Sequence, residues 1–239
     1  MRPRPLFPAL LLAASAAAVS GCTAPPAAGA GASANAPGPA NGPVALASVD
    51  GLAVKGRAPK TGYARERFGK GWLDTDGSGC GTREDILKRD LARTTFKDGC
   101  KVLTGVLEKD PYTGARIPHE RGRTGVDIDH VVALSDAWQK GAGGWDKGKR
   151  IAFANDPLNL LAVDAAANRK KGDGDAATWL PPDRGYRCHY VAAQIAVKRK
   201  YGLWVTVGER DAMRRVLTGC PGERLPTGGN STRPPERLR

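Results

Sequence analysis

Two segments of this chain, one on each side of its middle, lack the large apolar side chains a packed core needs, and that shortage limits the fold more than any other feature. Thr23 to about Lys60 is rich in Ala, Gly and Pro, with almost no charge before Asp50. Such a segment cannot bury enough surface to offset its chain entropy, so residues 23–60 are expected to form a flexible tether. Residues 221–239 carry four prolines and no apolar periodicity, and read as a disordered tail. Between them, 61–220 is left as one domain of ~160 residues, a comfortable size for a single core. A fully disordered chain is excluded by 41% hydrophobic residues and five Trp. A polytopic membrane protein is excluded too, because no apolar run reaches the ~20 residues a span needs.

Residues 1–22 read as an export signal. Arg2 and Arg4 give a positive start, and Leu6 to Val19 is apolar apart from Pro8 and Ser15. Val19-Ser20-Gly21-Cys22 follows and resembles a bacterial lipobox. That resemblance implies cleavage before Cys22, lipidation of Cys22, and an exported protein held by its lipid on the outer face of the cell membrane. The alternative is an ordinary secretory signal and a released protein. The net charge of +13 falls to +11 once Arg2 and Arg4 are removed. A basic exported domain suits a polyanion, either nucleic acid or the anionic envelope itself.

The domain reads as α+β. Thr82-x-x-Asp85 predicts a capped helix to about Arg93, Lys101–Leu107 a strand, and Asp110-Pro111-Tyr112-Thr113-Gly114 a turn. Strands are expected at Val126–Val132 and Asn159–Val163. Helices are expected at Ala133–Lys140, Asp146–Ala154, Asp164–Lys171, Tyr190–Tyr201 and Glu209–Leu217, the last capped by Thr206. Cys80, Cys100, Cys188 and Cys220 form no C-x-x-C pair. An even count in an exported chain implies two disulfides. Three pairings are open, and Cys80–Cys100 with Cys188–Cys220 is favoured because each closes a local unit around a helix.

Chemistry concentrates between Asp127 and Asp173. Of three histidines, His119 and His189 sit in polar contexts and read as surface residues, which leaves His130. The stretch runs Asp127-Ile128-Asp129-His130-Val131-Val132-Ala133-Leu134, then Asn155-Asp156-Pro157-Leu158-Asn159-Leu160, then Asn168-Arg169-Lys170-Lys171-Gly172-Asp173. A carboxylate beside an imidazole lets one residue hold a cation while the other polarises a water. These residues resemble an HNH endonuclease motif in its Asp-His … Asn … Asn form. With the Asp110–Gly114 turn and Trp179-Leu180-Pro181, the text is similar to secreted actinobacterial HNH proteins related to the DUF1524 group. The likeness covers about Tyr63 to Cys220.

The resemblance implies a ββα-metal core with added helices, and a metal-dependent endonuclease acting on nucleic acid, mainly DNA, with low base specificity. It makes His130 the general base and Asp129 and Asn168 the metal ligands. Asn159 would brace the loop between the strands and help orient His130. Asn168 stands where a second His is usual, which favours Mg²⁺ or Mn²⁺ over zinc. Asp127 is a candidate for structural support or an occasional ligand. Arg150 would meet the scissile phosphate or neighbouring acids, and Lys170 and Lys171 would contact phosphates or form a solvated helix end. Trp72, Trp138, Trp145, Trp179 and Trp204 read as core anchors rather than base-stacking platforms. No protein partner is implied. The first rival is a non-catalytic polyanion-binding lipoprotein on the same scaffold. The second is a phosphoesterase for small substrates.

Overall fold

The computed structural model describes Met1 and residues 38–238 apart from Thr124. The expected signal, Cys22 and the first part of the tether lie outside the described residues. In chain order the elements are α1 (Ala45–Val49), α2 (Thr82–Asp90), β1 (Ala92–Lys97), β2 (Lys101–Leu107), β3 (Ile117–Glu120), β4 (Val126–His130), α3 (Leu134–Gln139), α4 (Lys147–Ala154), β5 (Leu160–Asp164), α5 (Ala165–Lys171), α6 (Arg187–Tyr201) and α7 (Val207–Thr218). The class is α+β. Strands β1-β2-β3 form one antiparallel sheet, and β4 and β5 form a separate antiparallel pair. No helix among the described residues is long and apolar enough to cross a membrane.

Two apolar clusters hold these layers. The larger is built on α6, where Tyr190, Val191, Ile195 and Val197 meet Phe153 of α4, Val131 and Leu161. The smaller packs Ile86, Leu87 and Leu91 against Val126, Ile128, Leu160 and Ala162, so α2 lies on the β4–β5 pair. The exposed edge of β5 is closed by side chains of α2. Asp90 accepts from the Ala162 amide at 2.9 Å, and Arg89 donates to the carbonyls of Pro157 and Leu160. Pairing the edge in this way removes a free strand template.

Most expected elements appear within a few residues, and the departures have local causes. Helix α2 stops at Asp90, because Leu91 turns extended to enter the smaller cluster and Arg93 adopts φ 53°. The expected capping box does not form: the Thr82 hydroxyl donates to the Leu73 carbonyl instead. Asp146, Asp164 and Thr206 do cap their helices through side-chain oxygens. Strands β1 and β3 went unread, since β1 is largely exposed and offers no apolar alternation. Both favoured disulfides are present, Cys80–Cys100 and Cys188–Cys220, with Cα atoms 5.4 and 6.5 Å apart.

The terminal segments correct the tether and tail boundaries. Ala45, Val49 and Leu52 are buried against α6 and α7, and Leu225 is buried beside them. Val44 bridges Arg224, and the amides of Gly42 and Ala45 donate to the carbonyls of Leu225 and Glu223. Each segment is too poor in apolar residues to order itself, but each satisfies the backbone of the other. Val54 likewise bridges Val205, which ties the following segment down.

Candidate active site

β4 and β5 are paired from Val126↔Asp164 to His130↔Leu160, and α5 returns directly across them. This β4–β5–α5 unit is a ββα arrangement. Pairing continues one step past His130, where the Val131 amide donates to the Asn159 carbonyl at 2.8 Å. The Asn159 side chain clamps the next residue, accepting from the Val132 amide at 2.8 Å and donating to the Val132 carbonyl at 3.3 Å. It therefore holds the chain just after His130 and does not reach into the cleft.

His130 is buried at the end of β4. Its Nε2 lies 2.9 Å from the Ala154 carbonyl. A carbonyl only accepts, so Nε2 carries the hydrogen and Nδ1 keeps the lone pair. The Trp72 ring stacks on the imidazole, with centroids 5.7 Å apart and planes 10° from parallel. Burial pushes the His130 pKa down to about 3, opposed by the Ala154 carbonyl and helped by Arg65 and Lys171. The ring is neutral at physiological pH. Trp72 is thus a site residue as well as an anchor, which residue type alone did not reveal.

Asp129 is nearly enclosed. Lys171 Nζ lies 3.0 Å from Oδ1 and 2.9 Å from Oδ2, and also donates to the His130 carbonyl at 2.9 Å. The Tyr112 hydroxyl donates to Oδ2. Tyr112 arrives from the Asp110–Gly114 turn, which Asp110 holds by accepting from Thr113 and from the Asp164 amide. Trp179 and Tyr190 pack edge-on against the Tyr112 ring. Two sequence stretches far from the motif thus support its carboxylate.

Asp129, His130 and Asn168 line one cavity of about 350 Å³ together with Lys60, Arg65 and Asp173. A smaller one of about 110 Å³ is lined by Arg65, Phe68, Trp72 and again by His130. Asp127 does not line either, and its Oδ2 accepts from the Asn168 side-chain Nδ2 at 3.4 Å. Lys170 is exposed. Lys171 is neither a phosphate contact nor a solvated helix end, since its side chain is fully buried on Asp129. Arg150 is also removed from the cleft, because its guanidinium donates to the carbonyls of Arg67, Ala142 and Trp145. His119 is corrected as well: it is buried on β3, and burial lowers its pKa. His189 is half-buried, with Nδ1 2.7 Å from Glu223.

The donor set suits a hard cation. Asp129 and Asn168 bring carboxylate and carboxamide oxygens to one cavity, and such a cation keeps most of its waters. Among the described residues no group of three or more His, Cys, Asp or Glu gathers in a way that could hold a metal ion.

Residues 81–216, more than half of the chain, match the family model described as "GmrSD restriction endonucleases, C-terminal domain". An "Uncharacterized secreted protein" of Arthroderma benhamiae is 38% identical over 174 residues, which span 72% of this chain and 82% of that protein. No solved structure matches the chain. The matched span begins at α2 and ends within α7, and it contains the whole ββα unit with His130, Asp129 and Asn168; the chain belongs to the family of the GmrSD restriction endonuclease C-terminal domain.

Proposed function

We propose that the protein is an exported HNH-type endonuclease, similar to the secreted DUF1524-like proteins, that hydrolyses phosphodiester bonds in nucleic acid, mainly DNA. One observation carries this reading. His130 offers an unprotonated Nδ1 while Nε2 is tied to Ala154, and it shares a cavity with Asp129 and Asn168. The family match supports a nuclease-related role. The net charge, +13 for the full chain and +11 without Arg2 and Arg4, supports a polyanion as substrate.

His130 Nδ1 takes a proton from water as the water oxygen attacks phosphorus, and the P–O bond on the opposite side breaks. Accepting that proton makes a buried imidazolium, which burial disfavours. An entering phosphate supplies the negative charge that offsets this cost, and the Ala154 carbonyl keeps its hydrogen bond throughout. Trp72 and Asn159 hold the ring and the chain behind it, so little reorganisation is needed. Asp129 and Asn168 would hold one divalent cation, Mg²⁺ or Mn²⁺. Such an ion supplies charge relief to the phosphate and the departing oxygen. In this reading a lipid on Cys22 anchors the protein to the outer face of the membrane.

The test is nicking of supercoiled plasmid with Mg²⁺, Mn²⁺ or EDTA, beside His130→Ala. Metal-dependent nicking that the substitution abolishes is the expected result. One observation favours the rival, a polyanion-binding module without catalysis: Lys171 and Tyr112 occupy both oxygens of Asp129, so a cation must compete for them. DNA binding without nicking under any metal decides for that module.

A further inference from the structure

The family match begins at residue 81, yet one wall of the cleft comes from residues before it. Residues 53–72 form a strap pinned along its length. The Lys55 amide donates to Val205 and the Ala58 amide to Gln139. Arg57 lies 3.0 Å from Asp136 and 2.8 Å from Asp175. Further on, Trp138 donates to the Thr61 carbonyl at 3.3 Å, and Tyr63 and Phe68 pack on the Trp138 ring. Trp72 ends the strap on His130.

Between these anchors the strap carries Arg65 into the lining of both cavities that His130 borders. The other charges of the larger cavity are matched. Lys60 pairs with Asp173 at 3.1 Å, and Asp129 pairs with Lys171 from behind. Among the described residues the Arg65 side chain makes no hydrogen bond or ion pair, although it is exposed and close enough to influence His130. The cleft therefore holds one uncommitted positive charge, on a planar fork of donors, in the two cavities that His130 also lines. A guanidinium so placed matches an oxyanion, which it binds in two-pronged fashion.

We propose that Arg65 is the phosphate anchor of this cleft: it binds the phosphodiester of a nucleic-acid strand and sets it against His130. The inference rests on the nuclease reading for the identity of the oxyanion. It adds a binding residue on a segment outside the family match. The strap is built rigidly enough to place that residue, since its two ends are held by backbone pairing and by stacked rings.

The test uses the purified protein with Arg65→Ala, Arg65→Lys and, as a control outside the cleft, Arg215→Ala on α7. Binding of a fluorescein-labelled DNA duplex is followed by anisotropy in EDTA across a salt series, and plasmid nicking is followed with Mg²⁺. Arg65→Ala is expected to weaken binding roughly three- to tenfold and to flatten the slope of log K against log salt by about 0.9, the value for one lost phosphate contact. Its nicking rate is expected to fall at least about ten times further than its affinity, and Arg65→Lys to recover binding but not nicking, because an ammonium lacks the fork. Arg215→Ala leaves both near wild type. An Arg65→Ala protein with unchanged affinity and slope overturns the proposal, as does an equal loss in Arg215→Ala. If the wild type binds but never nicks, the nuclease reading fails, and the anisotropy result alone decides for or against Arg65 as anchor. A wild type that binds no duplex overturns both.

Discussion

Two clusters of buried charge sit on neighbouring parts of this molecule, and only one of them faces a cavity. The closed cluster joins α3, α6, α7 and the loop after α5. Lys140 reaches Asp136, Asp175 and Glu209 at 2.6–2.7 Å, and Lys198 reaches Asp136 and Glu209. Arg57 completes the balance of three positive and three negative groups. Every lysine and carboxylate in it is at most 3% exposed. The open cluster is Asp129, Lys171 and Tyr112, and it borders the cleft through Asp129 beside His130. The same chemistry thus has two outcomes. Charges that consume one another hold helices in register, whereas a pair at a cavity wall leaves a carboxylate that a further cation can share.

The largest expected effect belongs to the open side. His130→Ala removes the proton acceptor, and nicking should fall ~10²–10⁴-fold, the usual worth of a general base. Its fold should survive. The orphaned Ala154 carbonyl costs about 1–3 kcal/mol, and a thermal melt should register no more than that. A larger loss of stability would mean the residue is chiefly a core histidine.

Lys140→Met and Lys171→Met sharpen the contrast. Removing one partner of a buried pair destabilises by about 3–5 kcal/mol, so both variants should melt early without added metal. Mg²⁺ should then separate them. In Lys171→Met the freed Asp129 faces the cleft, and millimolar Mg²⁺ should restore part of the lost melting temperature by binding the folded state. In Lys140→Met the freed carboxylates are sealed away, and Mg²⁺ should restore nothing. Equal rescue of both variants, or of neither, would collapse the distinction between open and closed clusters.

A smaller effect is expected from Trp72→Ala. Ring pairs contribute about 0.5–1.5 kcal/mol, which corresponds to roughly a two- to tenfold drop in nicking if the stack keeps His130 oriented. Affinity for DNA in EDTA should not change. A parallel loss of affinity would make Trp72 a base-stacking platform instead.

These expectations differ in how far the sequence could carry them. The ββα unit was legible through the resemblance that Asp129-His130, Asn159 and Asn168 carry to the HNH motif, and its helix through the punctuation of α5 by Asp164 and Gly172. Lys171 was not, since nothing in Asn168-Arg169-Lys170-Lys171 says which lysine the helix turns inward; α5 decides that by placing Lys171 over β4. Arg65 and Trp72 were missed for a different cause. They lie far back in the chain, and their approach to His130 depends on the strap being pinned by Val205, Gln139 and Trp138. The terminal segments were misread because local composition could not show that Val44 and Arg224 would pair.

The smallest effect concerns acid, and it isolates the closed cluster. Burial raises the pKa of Asp136, but Lys198, Lys140 and Arg57 more than offset it, so the folded value lies below the ordinary 3.8. Asp175 behaves alike, with burial outweighed by Lys140, the Ala177 amide and Arg57. Carboxylates with depressed folded pKa values contribute stability that is present above the unfolded value and lost as pH falls through the folded one. Melting temperature should therefore stay level down to about pH 5 and decline below pH 4. Lys140→Met should begin its decline at higher pH, because its carboxylates have lost the cation that holds them charged. Raising NaCl should barely alter the wild-type limb, since sealed pairs are screened far less than exposed ones. A limb that moves strongly with salt would place the titrating groups at the surface, in pairs such as Lys60–Asp173, and not in the closed cluster.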